Sequence, residues 1–271
     1  MNTLSDRNWR LIREEARPGP MNMALDEIAA ETAAAGGPRT VRVYRWEPSC
    51  LSLGYGQDPD TVEWSFCETN GIDVTRRQTG GGGIYHDREG DVSYSIVAPT
   101  AELPGDLMEC YGMLCAPILE CFDRLGVDAD FADTEAEAIY EPACYLRSIH
   151  PAHDIVVDER KVSGNAQYRQ SNAVIQHGSL TYRVDAETHL GVFDSPTATS
   201  SSFRDRVTGI GEHTDADRQT VVETLETVLG SWADCSAGNW TEDELADARA
   251  LAETKYADPE WVRRTSPADD R

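Results

Sequence analysis

Four consecutive glycines, Gly80 to Gly83, stand between two segments that read as β-strands. No propensity argument puts them there, because glycine weakens a strand and loses the most backbone entropy on folding. Two readings are open. One is a flexible hairpin connection. The other is a backbone surface that meets a ligand: without Cβ atoms the chain comes close, reaches positive φ freely, and turns successive N–H groups into a concavity for an anion. Arg76 and Arg77 precede the glycines and His86 follows them, within RRQTGGGGIYHD (76–87). The run is neither a GxxxxGK phosphate loop nor a GxGxxG dinucleotide turn.

Around this loop, helical and strand patterns alternate without internal repeats. Apolar spacing predicts helices over 21–34, about 60–70, 105–125, 214–231 and 241–257. Gly36-Gly37, Gly71 and Gly126 close the first three, and Thr241 with Glu244 opens the last as a capping box. Strand patterns cover 40–47, 49–54, 72–79, 91–98, 153–169 and 171–184. Ser163-Gly164-Asn165 reads as a turn, and the acidic stretch 128–152 as an irregular, mobile loop. The fold class is α+β, a mixed β-sheet with packed helices.

Charge excludes some partners. The 271 residues hold 48 acidic and 24 basic side chains, a net charge of −24, and only two lysines, Lys161 and Lys255. Acid spread along the whole chain, with arginine as nearly the only base, points to a protein kept soluble in high salt. No block of positive charge could neutralise a phosphate backbone, which argues against nucleic acid. No run approaches the ~18 apolar residues of a membrane span, and the N-terminal segment lacks the apolar core of an export signal. A cytoplasmic protein is expected. Seven cysteines, an odd number without a CxxC pair, argue against a disulfide framework or structural zinc. Cys110, Cys115 and Cys121 share one helical apolar run and are expected to be buried.

In a chain that otherwise uses arginine, Lys161 in DERKVSGNAQYR invites a specific role. Its compact ammonium suits a carboxylate, a phosphate or a developing oxyanion. Lys255 fits a surface position or the end of its helix. His177 lies mid-strand beside Gly178, where a packed histidine is the ordinary outcome. His150 and His153 form an H-x-x-H pair with no third ligand in view, so no metal is assigned.

Together these segments resemble the lipoate–protein ligase A and octanoyltransferase family. MNMALDE (21–27), LSLGYGQ (51–57), RRQTGGGGIYHD (76–87), DIVVDERKVSGNAQ (154–167), QHGSL (176–180) and KYADPEW (255–261) follow the family's motifs in the family's order. The resemblance spans about residues 20–261. It implies a lipoate/biotin ligase-like catalytic domain over 1–235, with 236–271 as a helical segment packed on it and a frayed tail after Trp261. It also implies Lys161 as the catalytic lysine and an acyl or adenylate site built from Arg76, Arg77, Gly80, Gly81, Gly82, Gly83, Tyr85, His86, Ser163, Gly164, His177 and Gly178. The acceptor would be a lysine on the lipoyl domain of a 2-oxoacid dehydrogenase E2 or on a glycine-cleavage H protein.

Two mechanisms exist within that family. Ligases activate lipoate with ATP and Mg²⁺ to lipoyl-AMP. Gly82 and Gly83 followed by IYHD resemble the ligase loop, whereas the transferase branch carries an arginine after two glycines. Ligation is therefore the first expectation, with either a separate accessory protein supplying what a C-terminal domain would or a mechanism that needs none. The alternative is octanoyl transfer from acyl carrier protein through a thioester on Cys144, since EPACY (141–145) resembles the nucleophile loop of that branch. A third expectation is a non-catalytic binder of acylated carrier domains, against which Lys161 beside an intact glycine loop argues.

Overall fold

A computed structural model describes residues 7–150, 153–170 and 172–265. In chain order its regular elements are β1 (Trp9–Arg17), α1 (Gly19–Ala34), β2 (Arg39–Trp46), β3 (Cys50–Leu53), α2 (Trp64–Thr69), β4 (Asp73–Arg76), β5 (Ile84–His86), β6 (Asp91–Pro99) and α3 (Leu107–Arg124). There follow β7 (Asp130–Phe131), β8 (Asp154–Val157), β9 (Arg160–Arg169), β10 (Ala173–Thr181), α4 (Ala186–Gly191) and α5 (Ser200–Arg206). The chain ends with α6 (Arg218–Trp232), β11 (Ser236–Ala237), α7 (Glu242–Leu251) and α8 (Pro259–Val262).

Eight strands form one mixed sheet in the order β11-β1-β2-β6-β10-β9-β8-β7, and a second sheet runs β4-β3-β5. Period-two alternation divides the large sheet between two cores. Val41 and Val43 of β2 and Val92, Tyr94 and Ile96 of β6 face α3 and α6. Tyr44, Trp46 and Val97 face α1 and α7 on the other side. Cys110, Cys115 and Cys121 are all buried on the inner face of α3. The small sheet builds its own core with Leu51, Leu53, Phe193 and Phe203.

Three local expectations are corrected. The stretch 153–169 is a hairpin, because Asp158 and Glu159 take positive φ and fold β8 back on β9. Ser163, Gly164 and Asn165 are consequently strand residues paired with β10, where a turn was expected. The stretch expected to be mobile is anchored at several points over 128–150, where β7 pairs with β8 and Ala136 bridges Ile149; residues 151–152 lie outside the described residues. Strand β1 had no prediction, since its inner and outer residues (WRLIREEAR) carry charge at too many positions to alternate cleanly. Of the tail beyond Trp261, Val262 is buried and Arg264 stacks on Tyr55; residues 266–271 lie outside the described residues. No helix among the described residues is long and apolar enough to cross a membrane.

Candidate active site

The two sheets enclose a cavity of ≈ 370 Å³ between β2, β3 and β5 on one side and β9 and β10 on the other. Lys161 enters it from β9. Its Nζ donates to Asp154 Oδ1 at 2.8 Å, and both side chains are nearly inaccessible. Burial opposes charge on Lys161, but Asp154 and the Cys144 sulfur favour it more, so its pKa lies above that of an ordinary lysine. Burial likewise works against the Asp154 carboxylate, and Lys161 with His153 overrides it, holding the group well below the usual carboxylate range. The outer Asp154 oxygen accepts from the His150 N–H at 2.9 Å. Gly164 lies close against this pair: a Cβ there would stand 3.0 Å from Lys161 Cε and push the ammonium aside by a few tenths of an ångström.

The glycine loop is shaped by Arg77. Its guanidinium, 3% exposed, donates to the carbonyls of Ser52, Gly80 and Gly82 at 2.7, 2.8 and 2.7 Å. Those bonds curl the glycines around one buried cation, and Gly81 sits at φ +94°. The curled loop is then joined to the segment that carries Cys144. Gly83 N–H donates to Pro142 O at 2.7 Å, and Cys144 N–H donates to Gly83 O at 2.8 Å. A Cβ on Gly82 would lie 2.7 Å from Pro142 O and 2.9 Å from Cys144 N, so the two segments meet only because that residue is glycine. Burial lowers the Arg77 pKa while the Cys144 sulfur acts against that shift. The half-buried Cys144 thus lies within electrostatic reach of two buried cations.

Two histidines complete the wall. His86 stacks on Trp46 at 4.1 Å, with Nε2 2.9 Å from Ser52 Oγ and Nδ1 2.9 Å from Asp91 Oδ2. Burial, only partly offset by Asp91, lowers its pKa, so the ring is neutral at pH 7. His177 pairs with Thr79 Oγ1 at 2.8 Å and reaches Asp26 at 3.4 Å.

Of the residues singled out in the sequence, Arg77, Gly80, Gly81, His86, Cys144, Lys161, Gly164, His177 and Gly178 line the cavity. Arg76, Gly82, Gly83, Tyr85 and Ser163 do not, and strand alternation accounts for Arg76 and Tyr85. Arg76 turns away from Arg77 and donates to the Gly54, Gln57 and Val262 carbonyls, so it clamps the C-terminal segment. Tyr85 alternates with Ile84 and His86 and stacks edge-on against His189 at 5.1 Å. Ser163 lies between Lys161 and Asn165 without reaching the cavity wall. Lys255 lies in the last turn of its helix, as expected, and pairs there with Glu27 at 2.7 Å. Asp154 and Asn165 were missed, though each lies within the motif DIVVDERKVSGNAQ. His150 and His153 stack in parallel at 5.1 Å, and no group of three metal-type side chains occurs among the described residues.

The sequence pattern of the lipoyl protein ligase A/B catalytic domain matches residues 18–230. The octanoyltransferase LipM of Brevibacillus brevis is 30% identical over 275 residues, covering 94% of this chain and 99% of that protein. That of Anoxybacillus flavithermus is 32% identical over 272 residues, covering 93% and 97%. A crystal structure of lipoate-protein ligase A bound with ATP superimposes with a TM-score of 0.78 at 25% identity, over 94% of this chain and 98% of that one. These relatives overturn the expectation of ATP-dependent lipoate ligation. The relatives at 30% and 32% identity over nearly their whole length are octanoyltransferases, against 25% identity for the ligase. The third glycine of the loop, the feature that resembled the ligase pattern, has another use: Gly82 makes room for the Cys144 segment, and Gly83 is hydrogen-bonded to it.

Proposed function

The chain belongs to the family of the lipoyl protein ligase A/B catalytic domain, and from that premise we propose that it is an octanoyltransferase with Cys144 as its nucleophile. The observation that carries this reading is the place of Cys144. It lines the cavity, its segment is bonded to the glycine loop, and it lies within electrostatic reach of Lys161 and Arg77. Cys144 thus shares its cavity with the cations Lys161 and Arg77, electropositive surroundings of the kind in which cysteine nucleophiles work.

The Cys144 thiolate attacks the carbonyl of an octanoyl thioester presented by acyl carrier protein. A new C–S bond forms, the donor C–S bond breaks, and the departing sulfur takes a proton from Lys161. The amine of a carrier-domain lysine, on an E2 lipoyl domain or an H protein, then attacks the acyl-Cys144. The amide forms, the Cys144 thiolate is released, and Lys161 recovers its proton from the nitrogen. Gly80 and Gly81 let the backbone approach the acyl carbonyl, while Arg77 holds their conformation. His86, His177, Gly164 and Gly178 shape the wall around the chain. Seven free thiols fit the reducing cytoplasm, and the acidic composition fits a high-salt interior.

The test is mass spectrometry of the protein incubated with octanoyl acyl carrier protein in molar KCl. The wild type should gain one octanoyl group, labile to hydroxylamine, and Cys144→Ser should gain none. A wild type that stays unmodified would sink the reading. Octanoyl transfer to a carrier domain unaffected by Lys161→Ala would remove Lys161 from the mechanism.

A further inference from the structure

The second half of that reaction has a proton to dispose of. A lysine side chain is an ammonium at neutral pH, with a pKa of about 10.4, and has no lone pair until it is deprotonated. Lys161, paired with Asp154, takes the proton that the nitrogen sheds after attack, so the ammonium's first proton needs another recipient. Each ring nitrogen of His86 and His177 already faces a partner inside the protein. His153 is placed differently.

His153 lines the cavity, and its side chain is 32% exposed, open to water as well as to the site. Its Nδ1 stands 3.5 Å from Asp154 Oδ1, the oxygen that Lys161 also uses. Its carbonyl is held by Asn165 Nδ2 at 2.8 Å, and its ring packs between Tyr111 of α3 and His150, at 5.3 and 5.1 Å. The charged and titratable groups around it are therefore Asp154, Lys161, Tyr111 and His150, with Glu135 4.0 Å beyond His150.

Building on the octanoyltransferase reading, we propose that His153 is the catalytic base for the acceptor lysine. One N–H bond of the entering ammonium breaks and its proton passes to Nε2 of His153. The Asp154 carboxylate balances the imidazolium at Nδ1–H. The neutral amine attacks acyl-Cys144, and His153 returns the proton to water at its exposed edge. No other reactant is needed. Sequence spacing hid the role, because it drew attention to His150 and His153 as a metal pair.

The experiment preloads the enzyme with octanoyl N-acetylcysteamine and follows loss of the Cys144 adduct to two small acceptors at pH 7. Nα-acetyl-lysine arrives as an ammonium, whereas hydroxylamine arrives neutral. His153→Gln should slow transfer to Nα-acetyl-lysine by about 100-fold, the low end of general-base contributions, leave hydroxylamine unchanged, and respond to added imidazole. Equal slowing with both acceptors, or none with either, would overturn the assignment. A wild type that takes no octanoyl adduct would overturn the octanoyltransferase reading and this one with it. An adduct that forms normally keeps the two apart.

Discussion

Lys161 Nζ and Asp154 Oδ1 lie 2.8 Å apart, with 4% and 2% of their side chains exposed. A buried ion pair is weak evidence for net stability, but removing one partner strands a charge in low dielectric. Asp154→Asn should cost about 3–5 kcal/mol at pH 7 on that ground. The pH dependence has two limbs. The depressed Asp154 pKa adds stability that is present above about pH 3.9 and lost as pH falls toward the folded value. The raised Lys161 pKa adds stability that is full below about pH 10.4 and lost as pH rises through the folded value. Urea melts from pH 2 to 11 measure both. A midpoint unmoved by Asp154→Asn at pH 7 would show that the pair is not buried as described.

Gly82 and Gly80 make an internal comparison. A Cβ on Gly82 meets two backbone atoms below 3.0 Å, whereas a Cβ on Gly80 meets nothing within 4 Å. Backbone cannot give way as a side-chain end can, so Gly82→Ala must part the glycine loop from the Cys144 segment. The expected cost is about 1–3 kcal/mol, as for other overpacked sites, together with a changed alkylation rate at Cys144. Gly80→Ala should shift stability by less than about 0.5 kcal/mol. Thermal melts and iodoacetamide labelling decide between them. Equal effects of the two substitutions would mean that the loops do not touch.

The motifs around Lys161 and the glycine run were legible because each breaks a local rule: glycine where a strand should continue, lysine where this chain uses arginine. The long helices and β6 were legible through their apolar periods. What escaped depended on distant partners. Arg76 and Arg77 are neighbours with the same side chain, and only the strand's alternation sends one to the C-terminal segment and the other under the loop. The use of Gly82 and Gly83 could not be read locally, since what they contact is a segment about 60 residues away. The hairpin at Asp158-Glu159 was hidden because two acidic residues at positive φ look like ordinary strand-flanking charge.

His189 sets the acid side of stability outside the cavity. Its Nδ1–H donates to the Asp185 carbonyl at 2.6 Å, and its ring packs among Tyr85, Tyr145 and Phe203. Burial lowers its pKa, against a smaller opposing effect of Asp185. His86 is lowered for the same reason. The unfolded chain therefore binds protons that the folded protein refuses, so stability should decline as pH falls below about 6.5. His189→Phe keeps the aromatic packing and removes one of the two groups, so its decline from pH 7 to pH 5 should be shallower. Parallel pH profiles for the variant and the wild type would show that His189 takes a proton as easily folded as unfolded.

The net charge of −24 acts on the folded state as a whole. Compacting that charge costs free energy through self-repulsion. The Debye length shrinks from about 10 Å at 0.1 M to about 3 Å at 1 M, so salt removes most of the cost. Salt also weakens exposed ion pairs such as Arg88–Glu47 and Arg124–Glu120, but each contributes about 0–1 kcal/mol at most. With 48 acidic against 24 basic residues, repulsion outweighs attraction. Raising KCl from 0.1 to 1 M should therefore increase the melting temperature by roughly 5–10 °C, about 2–3 kcal/mol for a chain of this size. NaCl should act equally, because screening depends on ionic strength rather than on the cation. A flat or falling melting temperature would mean that the acidic residues are already neutralised by their neighbours, and that the composition is not an adaptation to salt.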